Sequence, residues 1–186
     1  MEGRLMFKNP IFKMVFTLVV IAVVVAAAMG AVNQLTEPLI AENSEKSLKE
    51  ALAVVLQADD YQLQEGIGTE ETQVYAAIKD GVPNGICVLT TVTGYGGDVQ
   101  VLTGVGQDNK VTGVKILSHS ETPGLGANAE KEPFISQYRG KSGSLSVSKV
   151  EPKENEIQAI SGATITSKAV TEAVNVALEI AQEYQR

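Results

Sequence analysis

A chain of 186 residues is long enough for one membrane segment and one soluble domain of common size. Its formal net charge of −7 argues against nucleic acid as a partner, because an acidic surface repels phosphates. With one cysteine and one histidine there is no internal disulfide, no cysteine-ligated cluster and no histidine-rich metal site, so redox chemistry here needs an organic cofactor.

The first 32 residues are strongly apolar and the remainder has the composition of a globular domain. No charge occurs between Lys13 and Glu37, an interval of 23 residues. As helix this spans about 34 Å, enough for a bilayer core. Arg4, Lys8 and Lys13 precede it, whereas Glu37, Glu42 and Glu45 are the first charges after it. The excess of basic residues on the N-terminal side predicts a cytoplasmic N-terminus over 1–13, a transmembrane anchor over 14–35 and an extracytoplasmic domain over 36–186. A cleaved signal peptide is the competing reading, since Ala26-Ala27-Ala28 and Gly30-Ala31 are small, but its apolar core is usually about 7–15 residues. Either reading exports the domain across the cell (plasma) membrane. Of the 22 acidic residues only Glu2 lies before residue 33, as do three of the 15 basic ones, so the exported part carries −9.

Residues 33–45 read as a short polar connection interrupted by Pro38. From 44 to 57 the apolar positions Leu48, Ala51, Leu52, Val55 and Leu56 recur at helical spacing, and one face must pack on the domain. Asp59, Asp60, Gly66 and Gly68 read as the loop that follows. Strands are predicted at 74–78, 85–93, 98–105 and 111–117, which are rich in Val, Ile and Thr and bounded by turn residues. Gln107-Asp108-Asn109-Lys110 predicts an antiparallel hairpin between the last two. Cys87, within Ile86-Cys87-Val88-Leu89, reads as a buried structural thiol. One helical turn at 134–138 and a further strand at 145–150 complete the middle of the chain. In the last segment Val170, Val174, Ala177, Leu178 and Ala181 share one helix face. The whole is an α+β domain, an antiparallel sheet with flanking helices, behind one N-terminal transmembrane helix.

Two segments stand out chemically. His119-Ser120-Glu121-Thr122-Pro123-Gly124-Leu125-Gly126-Ala127 follows the strand at 111–117. An ordinary turn would have similar composition, but two glycines around one Leu leave backbone groups open to the edge of a flat ligand. Ser161-Gly162-Ala163-Thr164 opens the last helix, where free N–H groups favour a phosphate. The alternative there is a plain helix cap by Ser161, Thr164 or Thr166. Glu121 beside His119 suggests acid–base chemistry, yet no nucleophile–base–orienter set is visible, and no catalytic residue is assigned.

These motifs, together with Gly94-Tyr95-Gly96-Gly97 and the anchor, resemble the RnfG family, the FMN-binding members of Rnf-type ion-pumping ferredoxin:NAD oxidoreductase complexes. A related family is NqrC of the sodium-translocating NADH:quinone reductase. The resemblance covers nearly the whole chain. It implies FMN esterified through its phosphate to Thr164, making this a covalent flavoprotein with a phosphoryl threonine. Ser161, Gly162, Ala163 and Thr166 would surround the attachment point, and Glu121, Thr122, Gly124, Leu125 and Gly126 would lie against the flavin, with Tyr95 as a ring contact. Lys168 either offsets phosphate charge or is a solvated surface lysine. The family has an acidic residue three positions before the motif's Ser, where this chain has Gln158. That departure bears on how efficiently flavin is attached, not on where. The implied partners are other membrane subunits of the complex, a flavin transferase for maturation and the lipid bilayer. The chain would be one electron-carrying part of a translocase, with ion transport left to its partners. The alternatives are an NqrC-like protein, a stand-alone exported FMN reductase, and a non-redox binding module in which Ser161–Thr164 is only a cap.

Overall fold

The strands of the domain alternate on two apolar faces, so the sheet is covered on both sides. In the computed structural model, which describes residues 10–69 and 71–184, five strands form one antiparallel meander. They are β1 (Asp60–Thr69), β2 (Thr72–Lys79), β3 (Val82–Thr93), β4 (Asp98–Gly106) and β5 (Val111–His119), in spatial order β1-β2-β3-β4-β5. Along β3, Ile86 and Val88 point to one face while Cys87 and Leu89 point to the other. The first face, with Val74, Val101 and Val114, packs against the terminal helix α3 (Thr164–Tyr184) through Val170, Val174, Ala177 and Ala181. The second face packs Ala77, Cys87 and Leu102 under Ala51, Leu52 and Val55 at the end of the first helix, α1 (Pro10–Val55).

The β2–β3 connection needs only Asp80 and Gly81, both at positive φ (52° and 76°), the backbone pattern that matches a tight hairpin to strand twist. The end of α1 comes close to the sheet because Gly104 and Gly113, cross-strand partners, have no side chains there. A Cβ on Gly104 would lie 2.6 Å from the Val55 carbonyl oxygen. That carbonyl accepts a hydrogen bond from the Thr112 hydroxyl, and the Leu56 carbonyl accepts one from Tyr61 at 2.6 Å. Two carbonyls at the helix terminus are thereby satisfied.

The chain divides into two compact units, Met1–Lys46 and Ser47–Arg186. In the first, Ile11–Gln34 is long and apolar enough to cross a membrane. Its side chains have no protein cover: Met14, Leu18, Val23 and Met29 are each more than 60% exposed. Of the basic residues used to orient the anchor, Arg4 and Lys8 lie outside the described residues.

Three expectations change. Residues 33–45 are not a connection, because α1 runs through them without a break. Pro38 costs a helix interior on the order of 3 kcal/mol. The apolar run before it and the strong helix formers from Ser44 onward outweigh that cost. The segment around Gly66 and Gly68 is the edge strand β1, not a loop, with the two glycines at φ of 88° and 120° where the register shifts. An exposed edge strand has no alternating apolar pattern by which to be recognised. The predicted strand at 145–150 shortens to β6 (Ser146–Ser148), paired in parallel with β7 (Glu156–Gln158), which is too short for any period to show. The turn at 134–138 is found as a short helix α2 (Glu132–Ile135) followed by a 3-10 turn (Ser136–Tyr138).

Burial pushes the Cys87 thiol up to about 12. The folded protein therefore gives no reaction with a thiol reagent at pH 8, and one equivalent in denaturant. A thiol that reacts in the folded state would contradict this packing. Leu102 is fully buried in the second cluster. Leu102→Ala is expected to lower stability by about 2–5 kcal/mol in denaturant unfolding of the domain.

Candidate functional site

At one end of the sheet, three segments distant in sequence converge: the β3–β4 turn, the loop after β5, and the start of α3. Their junction is a buried carboxylate. Glu121 is 6% exposed, and its Oε1 accepts hydrogen bonds from the backbone N–H of Tyr95 (2.7 Å) and Gly96 (3.2 Å). The glycines around it leave the room it occupies. A Cβ on Gly94 would sit 2.2 Å from Oε1, and one on Gly126 would sit 2.2 Å from Oε2. Among the described residues the carboxylate forms no ion pair. Its charge is met by backbone donors alone.

The loop after β5 is held by its own bonds. The Thr122 carbonyl accepts from the N–H groups of Leu125 (3.1 Å) and Ala127 (3.2 Å), and Asn128 Nδ2 donates to the Gly124 carbonyl at 2.7 Å. His119 acts from behind: its Nδ1 accepts from the Glu121 N–H at 3.2 Å, while Nε2 lies 3.5 Å from the Glu130 carboxylate. The histidine therefore orients the loop, in keeping with the absence of an acid–base pair in the sequence.

The start of α3 is not capped by the residues that the plain-cap reading needs. Ser161, Thr164 and Thr166 side chains make no hydrogen bond among the described residues. Instead Ser167 Oγ accepts from the Ile160 N–H at 3.0 Å and donates to the Ala163 carbonyl at 2.9 Å. The first turn closes with Ser167 N–H to Ala163 O, which leaves the N–H groups of Thr164, Ile165 and Thr166 ahead of the ladder. Thr166 Oγ1 is buried, on a residue 1% exposed, and has no partner. An unmatched buried hydroxyl costs about 1–3 kcal/mol unless something outside the chain satisfies it.

Between these segments lies a cleft of about 380 Å³, within the range of small-molecule and cofactor sites. Tyr95 and Leu125, 72% and 45% exposed, give it apolar rim surface, and Gly162 (φ 78°) brings the helix start against Leu125. A Cβ on Gly162 would lie 3.0 Å from Leu125 Cδ2. Free N–H groups at a helix start fit an anion, and the apolar rim fits a flat ring. The residues present thus fit a phosphate-bearing aromatic cofactor such as FMN.

Nine of the twelve residues expected at the site line this cleft: Tyr95, Glu121, Thr122, Leu125, Gly126, Gly162, Ala163, Thr164 and Thr166. Ser161, Gly124 and Lys168 do not line it; Gly124 shapes the loop at φ 79°, and Lys168 is exposed. Ile165, which sequence reasoning passed over, also lines it and is 54% exposed. Its signal was an apolar residue outside the buried helix stripe. Gln158 stands on β7, with its N–H bonded to Gln137 Oε1 at 2.8 Å.

Comparison with known proteins agrees with this reading. Residues 94–179 match the FMN-binding domain family and residues 1–55 match the RnfG N-terminal region. The RnfG protein of the Na(+)-translocating ferredoxin:NAD(+) oxidoreductase complex of Acetobacterium woodii is 38% identical, over 95% of this chain and 94% of that one. Its counterpart in the proton-translocating complex of Clostridium ljungdahlii is 36% identical over 92% of each. Two crystal structures of NqrC proteins, from the Na(+)-translocating NADH-quinone reductases, share the fold. That from Parabacteroides distasonis has a TM-score of 0.57 and 23% identity over 75% of this chain and 83% of that one. That from Shewanella oneidensis has a TM-score of 0.55 and 20% identity over 70% of each.

Gly126→Ala tests the junction. Its Cβ would meet both Glu121 Oε2 and, at 2.8 Å, Thr166 Oγ1. A loss of about 1–3 kcal/mol is expected in thermal or denaturant unfolding. Unchanged stability would mean that the three segments are not packed as described.

Proposed function

The chain belongs to the RnfG family of ion-translocating ferredoxin:NAD(+) oxidoreductase complexes, and from that premise we propose that it carries FMN as a phosphodiester on Thr164. It is an FMN-binding electron-transfer component of a multi-subunit membrane complex. The finer reading is ours: a single N-terminal anchor, a domain outside the cytoplasmic membrane, a covalent flavin attached by a flavin transferase, and electrons relayed between partner subunits.

One observation carries the covalent reading. Thr164 stands at the first position of α3, lining the cleft, with the uncapped N–H groups of its own turn around it. A phosphodiester there retains one negative charge, which the helix terminus stabilises. The ester forms between Thr164 Oγ and phosphorus as the hydroxyl gives up its proton and phosphorus its leaving group. The product is heavier by FMN less one water. A covalent link suits an exported domain, since a dissociated cofactor would not be replaced there. When bound, the isoalloxazine supplies the redox chemistry; the protein holds it, orients it and tunes it. Tyr95, Leu125 and Ile165 would cover apolar ring surface, and the N–H groups of residues 164–166 with Thr166 Oγ1 would hold the phosphate. Orientation is supported by Lys13, with Arg4 and Lys8, before the span and by Glu37 and Glu45 after it. The NqrC alternative is less well supported, because its likeness is one of fold at 23% identity, while the RnfG relatives align over nine-tenths of the chain.

Intact mass after denaturation tests this, with the chain expressed in an exporting host that supplies a flavin transferase. Wild type is expected to gain the mass of FMN less water, and Thr164→Val none. An unmodified wild type, beside a known acceptor modified in the same host, would rule out the ester. FMN released on denaturation would leave a non-covalent flavoprotein. Gln158→Asp is expected to raise the fraction modified at a fixed time, read from the same spectra.

A further inference from the structure

We propose that the Glu121 carboxylate sets the reduction potential of the flavin held in the cleft, keeping it low through a negative charge that no cation offsets. The inference rests on the FMN-binding reading above and goes beyond it by giving one residue a tuning role.

Glu121 is the only charged side chain lining the cleft. It is 6% exposed, so solvent screens it weakly. Its two oxygens are used differently. Oε1 accepts both backbone N–H groups of the β3–β4 turn. Oε2 accepts no hydrogen bond among the described residues, yet it is not among the sealed, unpartnered atoms, so it retains access to the cleft. The lysine nearest in sequence to the attachment point, Lys168, is exposed and outside the lining. His119 is engaged at the rear of the loop with the Glu121 N–H and Glu130.

Each electron added to a bound flavin adds negative charge to its ring. A fixed carboxylate in the same wall opposes that addition, and the low local dielectric strengthens the opposition. If Glu121 were only a structural latch, a neutral acceptor of the same shape would serve equally well. Glutamine is such an acceptor: its Oε1 can take the same two N–H bonds. The two roles therefore separate in one substitution.

The experiment is a spectroelectrochemical titration, with redox mediators, of full-length protein whose flavin content is first established by absorbance. Glu121→Gln is expected to shift the midpoint potential upward. Glu183→Gln is the control, since it removes an equal charge about 28 Å along α3 from Thr164 and should leave the potential near wild type. A Glu121→Gln potential equal to the control, in flavin-loaded protein, would overturn the proposal and reduce Glu121 to a latch. Should Glu121→Gln fail to fold or load, Ser120→Lys keeps the carboxylate and places a cation beside it on an exposed position. An upward shift there supports the proposal, and an unmoved potential overturns it. A wild type without flavin would remove the cofactor reading itself, and this inference with it.

Discussion

The site depends on one carboxylate accepting two backbone N–H groups across a sequence distance of 25 and 26 residues. A hydrogen bond to a charged acceptor contributes about 1.5–3 kcal/mol, and removing the acceptor would leave two partly buried donors unmet. Around this bond the local sequence becomes intelligible. Gly94 and Gly126 lack side chains because Glu121 fills the space their Cβ atoms would need. The β3–β4 turn, the loop after β5 and the first turn of α3 are placed relative to each other through contacts with this one residue or its immediate neighbours. The chemistry of the cleft is thus built on the rigid end of a sheet, with loops that are internally hydrogen-bonded.

Much of this was legible in the sequence, for physical reasons that differ by element. The buried stripe of α3 announces itself because an amphipathic helix repeats its apolar face over five turns. Strands β2 to β5 are recognisable because Val, Ile and Thr fill them and turn residues bound them. Strand β1 is not, since an exposed edge carries polar residues on both faces. Pro38 misled in the other direction, because the local rule against helix-interior proline ignores the long helical runs on either side. For the site, residue types identified two motifs, but their juxtaposition depends on tertiary contacts. No spacing rule says that Glu121 will bond to Tyr95 and Gly96, or that Ser167, and not Ser161 or Thr164, will cap the final helix.

The division of labour between the sheet faces follows from composition. One face is lined by Val and Ile and receives α3, whose N-terminus forms a wall of the cleft. The other carries Ala77, Cys87 and Leu102 and receives the last turns of α1, close enough that glycines replace side chains at Gly104 and Gly113. A member of the RnfG family must connect a membrane segment to a redox site without letting one disturb the other. Here five strands of hydrogen-bonded sheet stand between the end of the anchoring helix and the helix that forms the site.

Both margins of that sheet are closed to further pairing, by different means. At β5, the Val111 N–H and carbonyl are taken by the Lys141 carbonyl (2.9 Å) and the Gly140 N–H (2.8 Å). At β1, the register breaks between Leu63 and Gly68, so no long straight row of donors and acceptors is presented. An open margin would let one copy zip onto another wherever such proteins are crowded in the plane of a bilayer. With both margins blunted, neighbours cannot be recruited by extending the sheet, and association with other subunits falls to side-chain surfaces and loops.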